Sequence, residues 1–248
     1  MSLYRVSTIP IDHIEVFRQQ SEPPEIPSTP SYGIDAPLGL LASSFFAPLY
    51  LYATLSGKFQ VWEELLKNII KDINLNEPCL DCGCGRGMVL LMIARLKKEF
   101  KLENDRGSIS PVYGIDIFNS LDQTSNSPIS TCRNVASTNL LDCVVLHTGT
   151  FLDLPFVDDS FTLVTSSLAI HNVSNSNEKQ RAIRECARVT KPNGWLLIVD
   201  LKGNVGLYEN TLKELGWKSI ERKWAGMKMM FGIWPCEILK AQKPMEIS

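Results

Sequence analysis

The sequence predicts an α/β domain built on a mostly parallel β-sheet. Three observations predict it: short apolar runs typical of buried strands alternate with helical stretches, a glycine-rich turn follows the first run, and turn residues flank the later ones. Strands that alternate with helices favour a parallel sheet covered on both faces. A chain of 248 residues can form one substantial core, so one domain with an N-terminal extension fits it better than two domains.

The glycine-rich turn, Leu80-Asp81-Cys82-Gly83-Cys84-Gly85-Arg86-Gly87, has the pattern of a strand end, a tight turn and a helix start. Glycines at alternate positions let a ligand approach the backbone closely, at positive φ values that a Cβ disfavours. A dinucleotide-binding turn needs a glycine where this chain has Met88, which disfavours a nicotinamide-dependent oxidoreductase. Asp81 would repel a pyrophosphate and suits a ligand with an amino or sulfonium cation, such as S-adenosylmethionine. A purely structural turn is the alternative.

A second strand is predicted at 112–117, after a helical stretch at 88–99, and it contains Asp116 near its end. Ligands of open parallel sheets lie at the carboxyl ends of the strands, so Asp116 is placed to accept hydrogen bonds from two ribose hydroxyls. Its separation from the glycine turn is longer than usual, and the polar run 101–110 accounts for the excess as a loop insertion. An exposed carboxylate without a ligand is the alternative.

The rest of the chain continues the alternation. Strands are predicted at 143–146, 161–168 and 195–201, helices at 177–189 and 208–215, and a closing antiparallel pair at 218–225 and 235–241. Strand 161–168 leads into His171, at the sheet edge where the glycine turn lies. Because a neutral histidine can take a proton from a hydroxyl, amine or thiol, His171 is the candidate general base. The alternative is a histidine that holds a loop by hydrogen bonds.

Four segments occur in the order seen in class I S-adenosylmethionine-dependent methyltransferases: 80–87, 114–116, 154–161 and 188–194. The resemblance covers roughly 57–244 and is closest to the small-molecule branch, the ubiquinone and menaquinone biosynthesis type, with a hydrophobic N-terminal extension. It implies a Rossmann-like, doubly wound, mostly parallel seven-stranded sheet with an antiparallel last strand, plus an N-terminal helical arm. It also implies methyl transfer from S-adenosylmethionine to a small, lipophilic acceptor. A catalytically inactive methyltransferase-like binding or scaffold protein is the alternative.

By this resemblance, the glycine turn holds the methionine end of the cofactor, the acid after the second strand holds the ribose, and residues after the third strand frame the adenine. A helix over 57–70, with Lys58 and Trp62, is expected to close over the methionine end. Thr150 stands where the family often has an acid, so one hydrogen bond remains available there. The implied cofactor-binding residues are Asp81, Gly83, Cys84, Gly85, Gly87, Asp116, Ile117, Thr150, Phe151 and Ser167.

The amino-acid composition restricts the classes of binding partner and of cellular location. The formal net charge is −2 and no cluster of Lys or Arg stands out, which disfavours nucleic acid. The seven cysteines are scattered through predicted strands and helices, which favours a reducing, intracellular location in the cytoplasm or at the periphery of a membrane. Cys79 and Cys82 are spaced like half a zinc site, but no second pair follows, so no metal is expected. The first twenty residues lack an apolar signal core, which disfavours secretion.

The segment 36–57 contains no charged residue and has about the length of a bilayer span. Pro48 in mid-segment and the absence of a basic N-terminal flank argue against a span. Three interpretations stay open: helices that form a lid or pack on the core, a segment that contacts a membrane surface, and a span. We therefore expect an N-terminal arm with this apolar segment at 1–56 and an S-adenosylmethionine-binding methyltransferase domain at 57–248.

Overall fold

The sheet follows from the alternation of apolar strands and amphipathic helices. The computed structural model describes residues 3–22, 24–36, 40–41, 44–103 and 109–245. In these residues the strands are β1 Cys79–Cys82, β2 Val112–Asp116, β3 Val144–Thr148, β4 Phe161–Ser167, β5 Thr190–Leu201, β6 Ser219–Trp224, β7 Met230–Phe231 and β8 Trp234–Gln242. The helices are α1 His13–Arg18, α2 Ala47–Tyr52, α3 Lys58–Ile69, α4 Met88–Glu103, α5 Pro128–Ser137, α6 Ser176–Val189 and α7 Lys202–Glu214.

The strand order is β3-β2-β1-β4-β5-β8-β6, and the two-residue β7 pairs with β8 beside this path. Strands β1 to β5 are parallel to their neighbours, whereas β8 runs antiparallel between β5 and β6. The predicted doubly wound, mostly parallel sheet of seven strands with an antiparallel last strand is therefore confirmed. The short β7 was not predicted, because two residues carry no detectable alternation.

Two hydrophobic clusters cover the two faces of the sheet. Helices α3, α4 and α5 pack on one face, and α6 and α7 pack on the other. Consecutive strand residues alternate between the clusters, as Leu163 and Val164 do, because side chains of a strand point to opposite faces in turn. The result is a three-layer α/β/α arrangement in which the strand ends are free to carry a site.

Several element boundaries differ from the predicted ones. Helix α4 extends beyond the predicted end at 99, so the expected loop insertion begins later, and residues 104–108 lie outside the described part of the chain. Helix α7 begins well before the predicted start at 208, although Gly203 and Gly206 are poor helix formers. Tertiary packing outweighs this propensity, because Val205 is fully buried and a Cβ on Gly206 would lie 2.7 Å from Arg222 Nη1.

The N-terminal arm docks along the β3 edge of the sheet. Asp12 Oδ1 accepts from Ile14 N at 3.0 Å, which caps α1, and from Leu146 N at 3.1 Å, which captures a free backbone donor of β3. His147 Nδ1 is 2.8 Å from Ile11 O, and its Nε2 is 2.9 Å from Tyr4 Oη. Because a carbonyl only accepts, Nδ1 carries the proton and Nε2 accepts from the tyrosine.

The uncharged segment is helical where it is described. Helix α2 continues through a π-helical turn, Ala53–Gly57, into α3, and residues 37–39 and 42–43 lie outside the described part. No helix of the described residues is both long enough and apolar enough to span a bilayer. Gly57 lies directly against the backbone of Lys228, since a Cβ there would be 1.8 Å from Lys228 O.

The arm makes stability depend on pH through His147. Burial lowers its pKa below the ordinary value of 6.5, more than the hydrogen bond to Ile11 O raises it. The unfolded chain therefore binds more protons below about pH 6.5, and the free energy of unfolding falls as pH drops through that value. We expect a His147→Gln variant to lose less stability between pH 7 and 5.5 than the wild type in denaturant titrations. Equal losses in both proteins would contradict this role.

Candidate active site

A cavity of about 530 Å³ opens at the carboxyl edge of the parallel strands. The glycine turn after β1 and the ends of β2 and β4 form its inner part. Tyr50, Phe231 and Trp234 line its other side. The edge predicted to hold the ligand therefore does contain the cavity, as expected for a parallel sheet.

The glycine turn is shaped so that side chains are excluded from it. Gly83 and Gly85 have φ values of 69° and 50°. A Cβ on Gly83 would lie 2.3 Å from the Cβ of Ala169, and one on Gly85 would lie 2.5 Å from Gln123 Oε1. Gly83 N donates to Ile115 O at 2.8 Å, which folds the turn back onto β2. This tight backbone provides the close approach that the sequence pattern predicts.

Asp81 lies beneath the turn, in β1, with its carboxylate buried. Its Oδ2 accepts from Leu90 N at 3.0 Å, and its Oδ1 accepts from Thr165 Oγ1 at 2.8 Å. Burial raises the pKa of Asp81 to about 7, although both hydrogen bonds oppose the shift. The carboxylate thus ties β1 to β4 and to the first turn of α4, at the inner wall of the cavity.

Asp116 ends β2 beside the same turn. Its Oδ2 accepts from Gly85 N at 2.8 Å, and its Oδ1 accepts from Phe118 N at 2.5 Å and from Asn126 Nδ2 at 3.3 Å. Burial raises its pKa, against the effect of these hydrogen bonds. Since a carboxylate offers about four acceptor positions, three donors leave capacity for a ligand hydroxyl.

His171 follows β4 and faces the cavity with a buried acid behind it. Its Nδ1 is 2.5 Å from Asp200 Oδ1, and its backbone N donates to Asp200 Oδ2 at 3.0 Å. Tyr208 Oη donates to the same Oδ2 at 3.0 Å. Burial lowers the pKa of His171, but the charge and hydrogen bond of Asp200 outweigh it, so that the pKa is raised above 6.5. The carboxylate holds the proton on Nδ1 and leaves Nε2 as the basic nitrogen.

Carboxylates outnumber cations around the cavity. The described lining residues include the acids Asp35, Asp81, Asp116, Asp122 and Glu178 but a single lysine, Lys58. Lys58 is itself paired with Asp35, at 2.6 Å from Nζ to Oδ2. This charge balance favours a cationic ligand. The described chain contains no group of three or more His, Cys, Asp or Glu arranged to hold a metal ion.

Known proteins similar in sequence to this chain include methyltransferases. A family model described as a methyltransferase domain matches residues 80–198. Residues 80–198 are therefore similar to methyltransferase domains, and the rest of the chain lies outside this match. The demethylmenaquinone methyltransferase of Halalkalibacterium halodurans is 27% identical over 144 residues, which are 57% of this chain and 51% of that protein. The chain thus spans about half the length of the curated relatives it matches.

Solved structures place the methyltransferase domain in a widely used fold. Geranyl diphosphate C-methyltransferase from Streptomyces coelicolor A3(2) superposes with a TM-score of 0.53 at 14% identity, over 73% of this chain and 76% of that one. A [4+2]-cyclase gives 0.55 at 17% identity, over 74% of this chain and 82% of that one. These identities show the fold alone, and a cyclase among the neighbours means that the fold does not determine the reaction.

The remaining predicted cofactor residues of the methyltransferase domain fall into two groups. Those that line the cavity with the residues above are Cys84, Ile117, Thr150, Phe151 and Ser167. Within this group, Thr150 Oγ1 accepts from Leu152 N at 3.1 Å and Ser167 Oγ accepts from Trp62 Nε1 at 2.8 Å. Gly87 instead directly precedes α4, with φ of 86°, and lies near Thr131. Cofactor contacts by all ten residues stay a prediction.

The expected helix is present as α3, its place over the methionine end stays a prediction, and its Lys58 joins the N-terminal arm to the rest of the structure through Asp35. Asp35, in the arm, also accepts from Thr54 Oγ1 at 2.7 Å and from Gln123 Nε2 at 3.3 Å. Gln123 Oε1 in turn accepts from Arg86 N in the glycine turn at 3.0 Å. The ion pair therefore fastens the arm beside the cofactor turn.

Sequence reasoning missed both Asp35 and Asp200. Asp35 and Lys58 are the charged residues that bracket the uncharged segment 36–57, and this was an available signal for their pairing. Asp200 lies near the end of the apolar run 195–201, at the edge where ligands bind, as Asp116 does in the second strand. Its pairing with His171 depends on β4 and β5 being neighbours, which the run itself does not show.

The buried ion pair gives a stability prediction. Because Lys58→Met leaves the Asp35 carboxylate without its cation, we expect a loss of about 3 kcal/mol in the free energy of unfolding. A Lys58→Met/Asp35→Asn double variant should lose less than the sum of the single changes. Lys67→Met is the matched control, since Lys67 pairs with Glu63 in the same helix but is exposed, and it should lose less than about 1 kcal/mol. Denaturant titration measures the free energy of unfolding of the single variants Lys58→Met and Asp35→Asn, of the double variant and of the control. Additive losses from the two single changes would contradict the pairing.

Proposed function

We propose that this protein transfers a methyl group from S-adenosylmethionine to a small, lipophilic acceptor. One observation carries the proposal: the cavity brings the glycine turn with Asp116 together with the His171–Asp200 pair. The proposed donor site and a basic nitrogen thus share one cavity.

The residues present fit the cofactor. Gly83 and Gly85 form a backbone cradle that a Cβ would fill, and the buried carboxylates of Asp81 and Asp116 line the same cavity. S-adenosylmethionine, when bound, supplies a methyl group activated by a sulfonium cation. The excess of carboxylates in the lining offsets that positive charge, whereas it would oppose a phosphate-bearing nucleotide.

His171 and Asp200 supply the proton chemistry. As the acceptor atom takes the methyl group, its proton passes to His171 Nε2, and the ring becomes an imidazolium. Asp200 holds the ring by its Nδ1 and stabilises the positive charge that forms there. Tyr208 and the backbone N of Leu201 in turn hold Asp200, which is fully buried.

The lining supports a lipophilic, uncharged or cationic acceptor. Apolar side chains of Tyr50, Val173, Phe231 and Trp234 line the cavity, and Asp122 and Glu178 would repel an anionic acceptor. Relatives named for demethylmenaquinone support the same chemical class.

The arm and the uncharged segment complete the proposal. We assign 1–56 to an arm and apolar lid that also touches a membrane surface through 36–57, and 57–248 to the methyltransferase domain. An intracellular location, cytoplasmic or peripheral to a membrane, is supported by seven cysteines that are all free.

Binding of the cofactor is tested by calorimetry with S-adenosylmethionine and S-adenosylhomocysteine. We expect heat and a rise in Tm with both ligands. Incubation with radiolabelled S-adenosylmethionine and a lipid extract of the source cells, followed by mass spectrometry, identifies the methylated product. Absence of both heat and thermal shift would favour the inactive scaffold instead.

The role of His171 is tested by separating turnover from binding. We expect His171→Ala to lower kcat about 100-fold or more while the Kd for S-adenosylhomocysteine changes little. Because the pKa of His171 is raised, wild-type activity should increase with pH through a midpoint above 6.5. Asp200→Asn should move that midpoint to lower pH and reduce the maximal rate. Equal losses in turnover and cofactor affinity would show a structural residue.

A further inference from the structure

Large apolar side chains are exposed on two segments at the outer end of the cavity. On the segment before α3, Phe45 is 90% exposed and Leu55 is 60% exposed. On the hairpin that contains β7, Met227 and Ile233 are each 59% exposed. We call residues 45–55 and 227–234 together the apolar rim.

The two segments of the apolar rim touch each other. The rings of Tyr50 and Phe231 meet edge to face, with their centroids 5.1 Å apart. Gly57 lies against the backbone of Lys228, so the end of the π-helical turn rests on the hairpin. The two segments that carry the exposed apolar side chains therefore pack against each other, and exposed apolar side chains grouped in this way are typical of interaction surfaces.

The apolar rim borders the cavity. Tyr50, Phe231 and Trp234 belong to the rim and also line the cavity. Trp234 is in addition partly exposed to solvent. A ligand that enters the cavity on this side therefore passes over the side chains of Tyr50, Phe231 and Trp234.

The charge of the rim is complementary to an anionic surface. No Asp or Glu occurs in 36–57 or in 225–235, although the chain has 27 acidic residues against 25 basic ones. Lys228 of the hairpin is exposed. Lys202 is exposed as well, and it comes near the hairpin because the preceding residue, Leu201, pairs with Cys236, which follows the hairpin in β8. Apolar segments that carry no carboxylate of their own, with exposed lysines on or beside them, match the interface of a bilayer that contains anionic lipids.

We propose that the apolar rim docks on a membrane surface containing anionic lipids and that the acceptor enters the cavity from that surface. The entry of the acceptor from the membrane rests on the proposed function. The docking adds the hairpin 227–234 to the membrane contact proposed for 36–57. Docking keeps a lipophilic acceptor out of water on its path to His171. The lysines bring the rim to the surface, and the apolar side chains insert among the headgroups.

Sedimentation with vesicles tests the docking on the full chain. We expect the wild type to bind vesicles of phosphatidylcholine with phosphatidylserine at least tenfold more tightly than vesicles of phosphatidylcholine alone. Phe45→Ser/Ile233→Ser should lower binding at least tenfold, and Lys228→Glu should lower it on the anionic vesicles. The matched control is Ile11→Ser/Leu102→Ser, whose side chains are 65% and 72% exposed but lie outside the rim. The control should bind like the wild type.

Two results would overturn the docking. One is a rim variant that binds vesicles as well as the wild type, or a control that loses as much as the rim variant. The other is a wild type that ignores vesicles but forms a dimer that the rim substitutions dissolve in sedimentation velocity, since the rim would then contact a second copy. Thermal melts of each variant separate loss of docking from loss of fold.

Calorimetry with S-adenosylhomocysteine separates this inference from the proposed function. Neither Phe45 nor Ile233 lines the cavity, so the rim variant should keep its cofactor affinity. Vesicle binding without cofactor binding would leave the docking intact and defeat methyl transfer. Cofactor binding without vesicle binding would defeat the docking alone.

Discussion

The site is organised around a glycine turn that two buried carboxylates hold in place. Asp81 lies behind the turn and accepts from α4 and β4, while Asp116 lies beside it and accepts from the turn's own backbone. Buried carboxylates require such donors, because an unpaired charge in the interior is strongly destabilising. The positive φ values of Gly83 and Gly85 leave room for a ligand beside the turn that these hydrogen bonds hold.

The arm connects the glycine turn to α3 through an ion pair and hydrogen bonds. Asp35 is fastened to Lys58 of α3 and to Gln123, and Gln123 also bonds the glycine turn. Arm, helix and turn therefore share one polar network, in which losing one partner leaves another buried group unsatisfied. The uncharged segment between Asp35 and Lys58 is held at both ends; of its described residues, Tyr50 lines the cavity, whereas Phe45 and Leu55 are exposed.

The His171–Asp200 pair forms by a different route from the glycine turn. It depends on β4 and β5 being adjacent and parallel, so that both strands end at the same edge of the sheet. Tyr208 reaches Asp200 from α7, on the opposite face of the sheet from α3, α4 and α5. Asp81 and the His171–Asp200 pair are nevertheless linked through β4, because Thr165 of that strand donates to Asp81 and His171 follows the end of the strand.

The sequence by itself determined the α/β class, the positions of the long strands and the character of the glycine turn. These features are local: alternation of apolar residues, glycine spacing and turn chemistry act over a few positions. Only the tertiary structure decided that Asp200 stands behind His171, that Asp35 meets Lys58, and that the hairpin 227–234 joins the uncharged segment. The early start of α7 belongs with these, because packing of Val205 overrides two glycines. Such pairs depend on strand order and on the path of the arm, which are set by the packing of the whole chain and leave no periodic signal in the residues themselves.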